Sequence, residues 1–218
     1  MEDFKKLFNS FSSMKVGVIG DVMLDTYMWG KVDRISPEAP VPVVSLNRKE
    51  YRIGGAGNVA LNCQSLGAKV SVISVTGNDT EGLLLSELFE SNHIDTAWME
   101  KSGSRHTTSK TRIISRNQQM MRIDDEMTDA LNEENENKLL GKVKDYIANE
   151  DPNILIMEDY NKGVLTPHVI RRVIAICKEA GVLTAADPKR KNFFAYQGVD
   201  IFKPNLHDSI LLHCRPEK

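Results

Sequence analysis

Short apolar runs recur along the chain, and most of them end in polar or charged residues. Five runs have the length and composition of buried strands: residues 15–19, 70–75, 154–157, 183–186 and 201–203. Apolar residues at helical spacing fill several of the segments between them, as in residues 132–149. The repeated order of strand, polar end and helix predicts an α/β fold, with a central, mostly parallel sheet and helices on both of its faces.

Four of these strands are followed by side chains that are able to bind ligands. Asp21 follows the first strand, Asp159 and Asp187 follow the third and fourth, and Asn205 follows the last. Any one of these residues has a plainer interpretation as a turn residue. However, ligands of open α/β sheets bind at the carboxyl ends of the strands. We therefore expect a single ligand site at this edge of the sheet, with Asp21 among its residues.

β-Branched and aromatic residues are also concentrated in four stretches that no helix follows, at 26–32, 41–46, 107–114 and 119–124. They predict a small β flap that stands off the main sheet and includes residues 26–33, 41–48 and 107–124. Lys110, Arg112 and Arg122 alternate along the last two stretches, so they are expected to share one face. Such a face is either a set of solvated basic residues or a phosphate-binding surface.

Three glycines fall within four positions in the segment 52–59, directly before a segment with helical spacing of apolar residues. N–H groups at the start of a helix bind anions and hydroxyl groups, and glycine lets the backbone approach a ligand closely. The segment is therefore either a ligand-binding turn or a simple tight turn. Its candidate binding residues are Gly54, Gly55, Ala56 and Asn58.

The same segment also fits the G-x-G-x-x-A fingerprint of dinucleotide-binding folds, through Gly55, Gly57 and Ala60. Asp79 lies downstream as the acidic ribose ligand of such a site. In those folds the glycines follow the first strand of the unit, whereas here the first strand ends at Gly20 without such a loop. A nicotinamide dehydrogenase is thus an alternative that the order of the elements disfavours.

Bulk composition narrows the classes of function. The chain has 218 residues, of which 41% are hydrophobic and 27% are charged, and its formal net charge is -2. This composition is that of a globular domain, and the charge favours neither nucleic acid nor an anionic membrane as a partner. No apolar run reaches membrane-spanning length, and the cysteines show neither disulfide nor zinc spacing, which favours a cytoplasmic location.

Several longer motifs resemble the ribokinase-type (PfkB) family of carbohydrate kinases. They are residues 20–25, 34–43, 54–58, 115–119, 159–163, 187–189 and 204–206. The likeness is greatest to the heptose 7-phosphate kinase domain of the bifunctional heptose kinase/adenylyltransferases. It implies a ribokinase-like three-layer sandwich with a β flap. It also implies transfer of the γ-phosphate of ATP to the anomeric hydroxyl of D-glycero-β-D-manno-heptose 7-phosphate, a step in lipopolysaccharide core biosynthesis.

The resemblance further implies roles for individual residues. The substrate-binding set is Asp21, Gly54, Gly55, Ala56, Asn58, Arg112, Lys162, Asp187 and Lys189. The nucleotide and magnesium motif of the family falls on Asn205, Leu206, His207 and Asp208, with Asp208 as the ligand of Mg²⁺. The flap is expected to cover the sugar and to pair two subunits into a homodimer.

One part of the family pattern is missing. The catalytic base of the family is an aspartate in a late Gly-Ala-Gly-Asp motif, whose glycines also form an anion hole, and residues 1–218 contain no such motif. We therefore expect one incomplete kinase domain, without the C-terminal part of the fold, that has little or no activity by itself. The alternative is a non-catalytic module that binds a sugar phosphate or dimerises.

Overall fold

The structure is a computed structural model that describes residues 2–206. Its strands are β1 Lys15–Gly20, β2 Val22–Ile35, β3 Pro42–Gly55, β4 Lys69–Gly77, β5 Met99–Ser102, β6 Ser109–Ser115, β7 Gln118–Asp125, β8 Ile154–Glu158, β9 Leu183–Asp187 and β10 Ile201–Phe202. Its helices are α1 Glu2–Phe11, α2 Ala56–Ser65, α3 Thr80–Ser91, α4 Glu133–Glu150 and α5 Pro167–Ala180, and a 3-10 helix spans Arg190–Ala195.

The central sheet has six strands in the order β10-β9-β8-β1-β4-β5, and each neighbouring pair is parallel. Its two faces carry separate hydrophobic cores. Val70 and Val72 of β4 pack with α2 and α3 on one face, whereas Ile73 and Val75 pack with α4 and α5 on the other. Successive side chains of a strand point to opposite faces, so a strand covered on both sides reads as an unbroken apolar run. The predicted parallel sheet with helices on both faces is confirmed.

A second sheet, in the order β3-β2-β6-β7, forms the flap. Strands β2 and β3 are longer than predicted, since their antiparallel pairing runs from Val22 opposite Gly55 to Ile35 opposite Pro42. The glycine segment therefore contains the end of β3 and the start of α2, which follow each other directly, so the predicted turn between them is absent. Glycine is required at position 55 because φ is 61° and a Cβ would collide with the carbonyl oxygen of Asp21.

The loop that follows β8 ends at the capped start of α5. Thr166 accepts the N–H of Val169 at 3.2 Å as the N-cap of α5, and Pro167 occupies the first turn of that helix. The polar end of β8 is thus separated from α5 by a short segment only. Among residues 2–206, no helix combines the length and the apolar character needed to cross a membrane.

Candidate active site

The ends of β1, β8, β9 and β10 form one row, because these four parallel strands are neighbours in the sheet. The N–H of Asp21 donates to the carbonyl of Glu158 at 3.2 Å, and the N–H of Asp159 donates to the carbonyl of Asp187 at 3.3 Å. The predicted convergence of polar strand ends at one edge is confirmed. This edge is the place where ligands of open α/β sheets bind.

Asp21 is only 1% exposed, and its carboxylate is held by the loop that follows β8. Oδ2 accepts the N–H groups of Tyr160 and Lys162 at 2.8 and 3.1 Å, and Oδ1 accepts the N–H of Val164 at 3.0 Å. Burial raises the pKa of Asp21, and the three N–H donors offset this only in part. The carboxylate of Asp21 thus shapes this loop, and its predicted contact with a sugar hydroxyl stays a prediction.

A second buried aspartate holds the same loop from another side. Asp159 Oδ1 accepts the N–H of Asn161 at 2.8 Å. Its Oδ2 accepts the side-chain N–H of Asn192 at 3.0 Å and the hydroxyl of Tyr196 at 3.1 Å. These bonds join the loop to the 3-10 helix and the residue that follows it. The position of Lys162 is thus determined by two carboxylates, neither of which is at the surface.

Lys162 connects this loop to the flap. Its ammonium lies 2.7 Å from Glu126, which also binds Lys110 of β6 at 2.9 Å. The two lysines lower the pKa of Glu126. The guanidinium of Arg105 donates to the carbonyl of Lys162 at 2.6 Å and to that of Asp129 at 2.8 Å. Lys162 therefore lies between the central sheet and the flap, where a ligand that bridges the two would meet it.

One face of the flap lies beside the ends of these strands, and we call the space between the two the cleft. Asp25 and Tyr27 of β2 lie on this face, and Asp25 forms an ion pair with Arg112 of β6 at 2.7 Å. Burial raises the pKa of the Tyr160 hydroxyl, and several carboxylates that include Asp25 add to the effect. Lys110 on this face shares Glu126 with Lys162 of the loop after β8, so the face and the loop are close enough to act on one ligand.

Asp25 was not among the predicted site residues. It lies four residues after Asp21, in β2, where it is only partly buried and is paired with a single guanidinium. Both aspartates lie in the motif of residues 20–25, and that shared motif was the signal available in the sequence. Their difference in burial comes from the loop after β8, which covers only the first of them.

The three basic residues predicted to share a face do so, but each has a carboxylate partner. Arg112 and Arg122 are direct register partners, and Lys110 lies opposite Asp124. Asp124 binds Lys110 at 3.0 Å and Arg122 at 2.8 Å. The face therefore carries organised ion pairs in place of the uniformly basic surface that the sequence indicated.

The glycine segment places the start of α2 next to Asp21 and Asp25. Ala56 is fully buried, and its N–H donates to the carbonyl of Asp21 at 2.9 Å. Gly54 lies against the carboxylate of Asp25, where any Cβ would be too close. Asn58 is exposed in the first turn of α2. The first N–H of the helix is thus used within the fold, whereas the side chain of Asn58 is accessible.

The dinucleotide alternative is contradicted by the same elements. Gly57 and Ala60 are buried inside α2, and a Cβ at position 57 would collide with Ile53 and Phe89. Asp79 caps α3 by accepting the N–H of Gly82 at 2.8 Å, and it also binds Thr107. The small residues are therefore needed for packing, and the acidic residue has a structural role.

Two carboxylates meet at the ends of β8 and β9. Glu158 and Asp187 are register partners in the parallel sheet, and Glu158 is 6% exposed. Burial and then the charge of Asp187 raise the pKa of Glu158 to about 7. Asp187 binds Lys203 at 2.9 Å through Oδ2, while its buried Oδ1 has no partner among the described residues. Lys189 follows, with its ammonium 5.5 Å from the centre of the Tyr160 ring.

The predicted nucleotide motif is described only in part. Asn205 and Leu206 follow β10 and are exposed. His207 and Asp208 lie outside the described residues, so the predicted Mg²⁺ ligand stays a prediction. Between residues 2 and 206, no group of three or more His, Cys, Asp or Glu side chains is arranged to hold a metal ion.

Comparisons with known proteins agree with this architecture. Residues 13–212 match the family described as pfkB family carbohydrate kinase. The bifunctional protein HldE of Geobacter sulfurreducens is 43% identical over 210 residues, which cover 95% of this chain and 42% of that protein. The bifunctional protein HldE of Desulfatibacillum aliphaticivorans is 42% identical over 199 residues, which cover 91% and 40%. The chain thus spans less than half the length of the curated relatives it matches.

Solved structures show the same fold at low sequence identity. The tetrameric inhibited form of phosphofructokinase-2 from Escherichia coli matches with a TM-score of 0.70 and 17% identity, over 94% of this chain and 66% of that chain. The ribokinase of Arabidopsis thaliana complexed with ribose and ATP matches with a TM-score of 0.61 and 16% identity, over 89% and 61%. The predicted ribokinase-like fold is therefore confirmed. Since the family match covers most of the sequence, the protein belongs to the pfkB family of carbohydrate kinases.

Proposed function

We propose that this chain is part of a kinase that transfers the γ-phosphate of ATP to the anomeric hydroxyl of D-glycero-β-D-manno-heptose 7-phosphate. The observation that carries the proposal is the cleft between the row of strand ends and the charged face of the flap. The identity of about 40% to proteins named bifunctional protein HldE and the sequence resemblance to heptose 7-phosphate kinases support the choice of substrate.

In this reaction the anomeric oxygen attacks the γ-phosphorus of ATP. The bond from that phosphorus to the bridging oxygen breaks, ADP leaves, and the hydroxyl proton passes to a base. Asp25 and Asn58 are placed to bind sugar hydroxyls, and the Lys189 ammonium offsets charge on the transferring group. Mg²⁺ bound with ATP neutralises phosphate charge, and Asp208 is its proposed ligand. The sequence lacks the Gly-Ala-Gly-Asp motif that supplies the base, so we expect binding with little turnover.

Two measurements on the 218-residue chain test this proposal. Calorimetry should detect binding of heptose 7-phosphate, and a coupled assay of ADP release should detect little or no turnover. Asp25→Asn should weaken binding about tenfold or more, because a charge-assisted hydrogen bond is lost. Asp145→Asn, an exposed position on α4, is the matched control and should leave binding unchanged. Undetectable binding by folded protein would refute the substrate, and near-normal turnover would refute the expected loss of rate.

We also propose that two copies pair through the flap. The face of the flap opposite the cleft is apolar at its outer part, where Leu46, Met121 and Ile123 are each half exposed or more. Exposed apolar faces of this kind commonly mark protein interfaces. Met121→Glu should convert the dimer to a monomer in analytical ultracentrifugation, whereas Leu83→Glu, at an exposed apolar position on α3, should not. A wild-type chain that sediments as a monomer would exclude the pairing.

A further inference from the structure

A cavity of about 390 Å³ lies at the edge of the central sheet where β1 and β4 begin. The strand ends next to Asp21 and Asp187 form the other edge, so the length of the sheet separates this cavity from the cleft. Its volume is within the range of small-molecule sites, about 300–1,000 Å³. The cavity is therefore large enough for a ligand of its own.

Small residues near the starts of the strands make room for Tyr146 of α4, which borders the cavity. Gly17 of β1 and Ser71 of β4 are register partners, and a Cβ at position 17 would collide with the Tyr146 ring. The Tyr146 hydroxyl shares a hydrogen bond with Ser71, and the Ser71 hydroxyl donates to Asp95 at 3.1 Å. Glu150 lies one turn after Tyr146 on the same side of α4. Packing of α4 on the two strands thus brings the carboxylates of Asp95 and Glu150 to one cavity.

Opposite charges line this cavity without pairing with each other. The charged lining residues are Lys15, Lys69, Asp95 and Glu150. None of them takes part in an ion pair among residues 2–206. The Lys15 ammonium instead donates to the backbone carbonyl of Glu150 at 2.5 Å, and Asp95 accepts the N–H of Ala97 at 3.0 Å. The space between the lysines and the carboxylates can therefore hold a ligand that carries both charges.

Three helices end around the cavity, α2 at Ser65, α3 at Ser91 and α4 at Glu150. Residues at or just after these ends line it, among them Gln64 and His93. The last carbonyl groups of a helix carry a partial negative charge, which attracts a cation and repels an anion. The cavity therefore favours a ligand with an ammonium group and disfavours a nucleotide or another polyanion.

We infer that this cavity binds a small zwitterion with the chemistry of a free amino acid. Asp95 and Glu150 bind the ammonium group of the ligand, and Lys69 binds its carboxylate, in each case through charge-assisted hydrogen bonds. A diamine would leave Lys69 without a partner, and a dicarboxylate would do the same to Glu150, so the ligand needs both charges. Because the cavity is at the other edge of the sheet, such a ligand would bind whichever sugar occupies the cleft.

The first test uses the 218-residue chain and the standard amino acids at millimolar concentration. A thermal-shift screen should identify at least one that stabilises the protein, and calorimetry should show that it binds at a single site. The N-acetyl derivative of that amino acid lacks the ammonium charge, and its methyl ester lacks the carboxylate charge. Each should bind about tenfold more weakly or worse, because charge-assisted hydrogen bonds at one end are lost. Saturating heptose 7-phosphate should leave binding of the amino acid unchanged.

Variants then locate the site. Glu150→Gln and Lys69→Gln should each weaken the amino acid about tenfold. Neither side-chain charge forms a hydrogen bond within the described residues, so both variants should keep the urea midpoint of the wild type. Asp145→Asn and Lys144→Gln remove the same charges from exposed positions of α4 outside the cavity. These two controls should leave binding unchanged.

The outcomes separate this site from the proposed function. If no amino acid binds to the folded chain, the site is refuted. Equal binding of the amino acid and both derivatives refutes the zwitterion, and equal losses in Glu150→Gln and Asp145→Asn show general electrostatics and refute the location. Displacement of the amino acid by heptose 7-phosphate would place it in the cleft and refute a separate site. If an amino acid binds as expected but heptose 7-phosphate does not bind, the site stands and the proposed substrate fails.

Discussion

The buried carboxylate of Asp21 is expected to position the loop that carries Lys162. It accepts three N–H groups of that loop and is almost fully enclosed. Replacing it with alanine leaves three buried donors without an acceptor. We expect Asp21→Ala to loosen residues 160–164 first, because no other side chain bonds to these three N–H groups within the described residues.

The magnitude follows from two opposing effects. Hydrogen bonds to a charged group contribute roughly 1.5–3 kcal/mol each, so three of them amount to about 5–9 kcal/mol. Enclosing the charged group costs several kcal/mol, as the raised pKa of Asp21 indicates. We expect Asp21→Ala to lower the free energy of unfolding by about 3 kcal/mol. Asp21→Asn should cost less, about 1–2 kcal/mol, because it avoids the burial of charge but turns one acceptor into a donor.

Urea unfolding gives the stability change, and amide hydrogen exchange identifies where it arises. In Asp21→Ala the amides of Tyr160, Lys162 and Val164 should lose protection. Asp79 is a close match as a control, because it also accepts three hydrogen bonds, from Gly82 and Thr107, but at the start of α3. Asp79→Ala should destabilise the protein without changing exchange at 160–164. Retained protection in Asp21→Ala, or equal loss in both variants, would refute the assigned role.

Other predictions concern individual positions. Glu158→Gln should raise the free energy of unfolding by up to ~3 kcal/mol at pH 8, because burial and Asp187 raise the pKa of Glu158 from 4.5 to about 7. The buried charge of Glu158 destabilises the wild type increasingly as the pH rises from 4.5 to about 7. The urea midpoints of the wild type and of Glu158→Gln should therefore converge near pH 4, and a difference that persists there would contradict the prediction. Gly163→Ala should destabilise by roughly 1–3 kcal/mol, since φ is 92° and a backbone carbonyl blocks a Cβ. Gly103→Ala is the control, because a Cβ at position 103 would meet open space, and thermal melting compares the two variants. Thr166→Ala should cost about 1 kcal/mol through the lost cap of α5 in urea unfolding, and a serine that fails to restore stability would oppose this.

The order of elements in this protein is encoded locally. Parallel strands covered on both faces need nearly unbroken apolar residues, and β1 and β8 show this in the sequence. The capping threonine and the first-turn proline of α5 are likewise short-range signals. The position of polar residues at strand ends followed from the same pattern. The short edge strand β5 was missed, because its half-charged sequence has no apolar run.

Only the tertiary structure decided which polar groups remain available to a ligand. Asp21 and Asp25 are acidic residues of one short motif, yet the first is enclosed by N–H groups 139 or more residues away along the chain. Lys110 and Arg112 of the flap acquired carboxylate partners from other strands in the same way. Local patterns specify how a segment folds and which side a residue faces. Hydrogen bonding and burial depend on contacts between distant segments, which no local pattern contains.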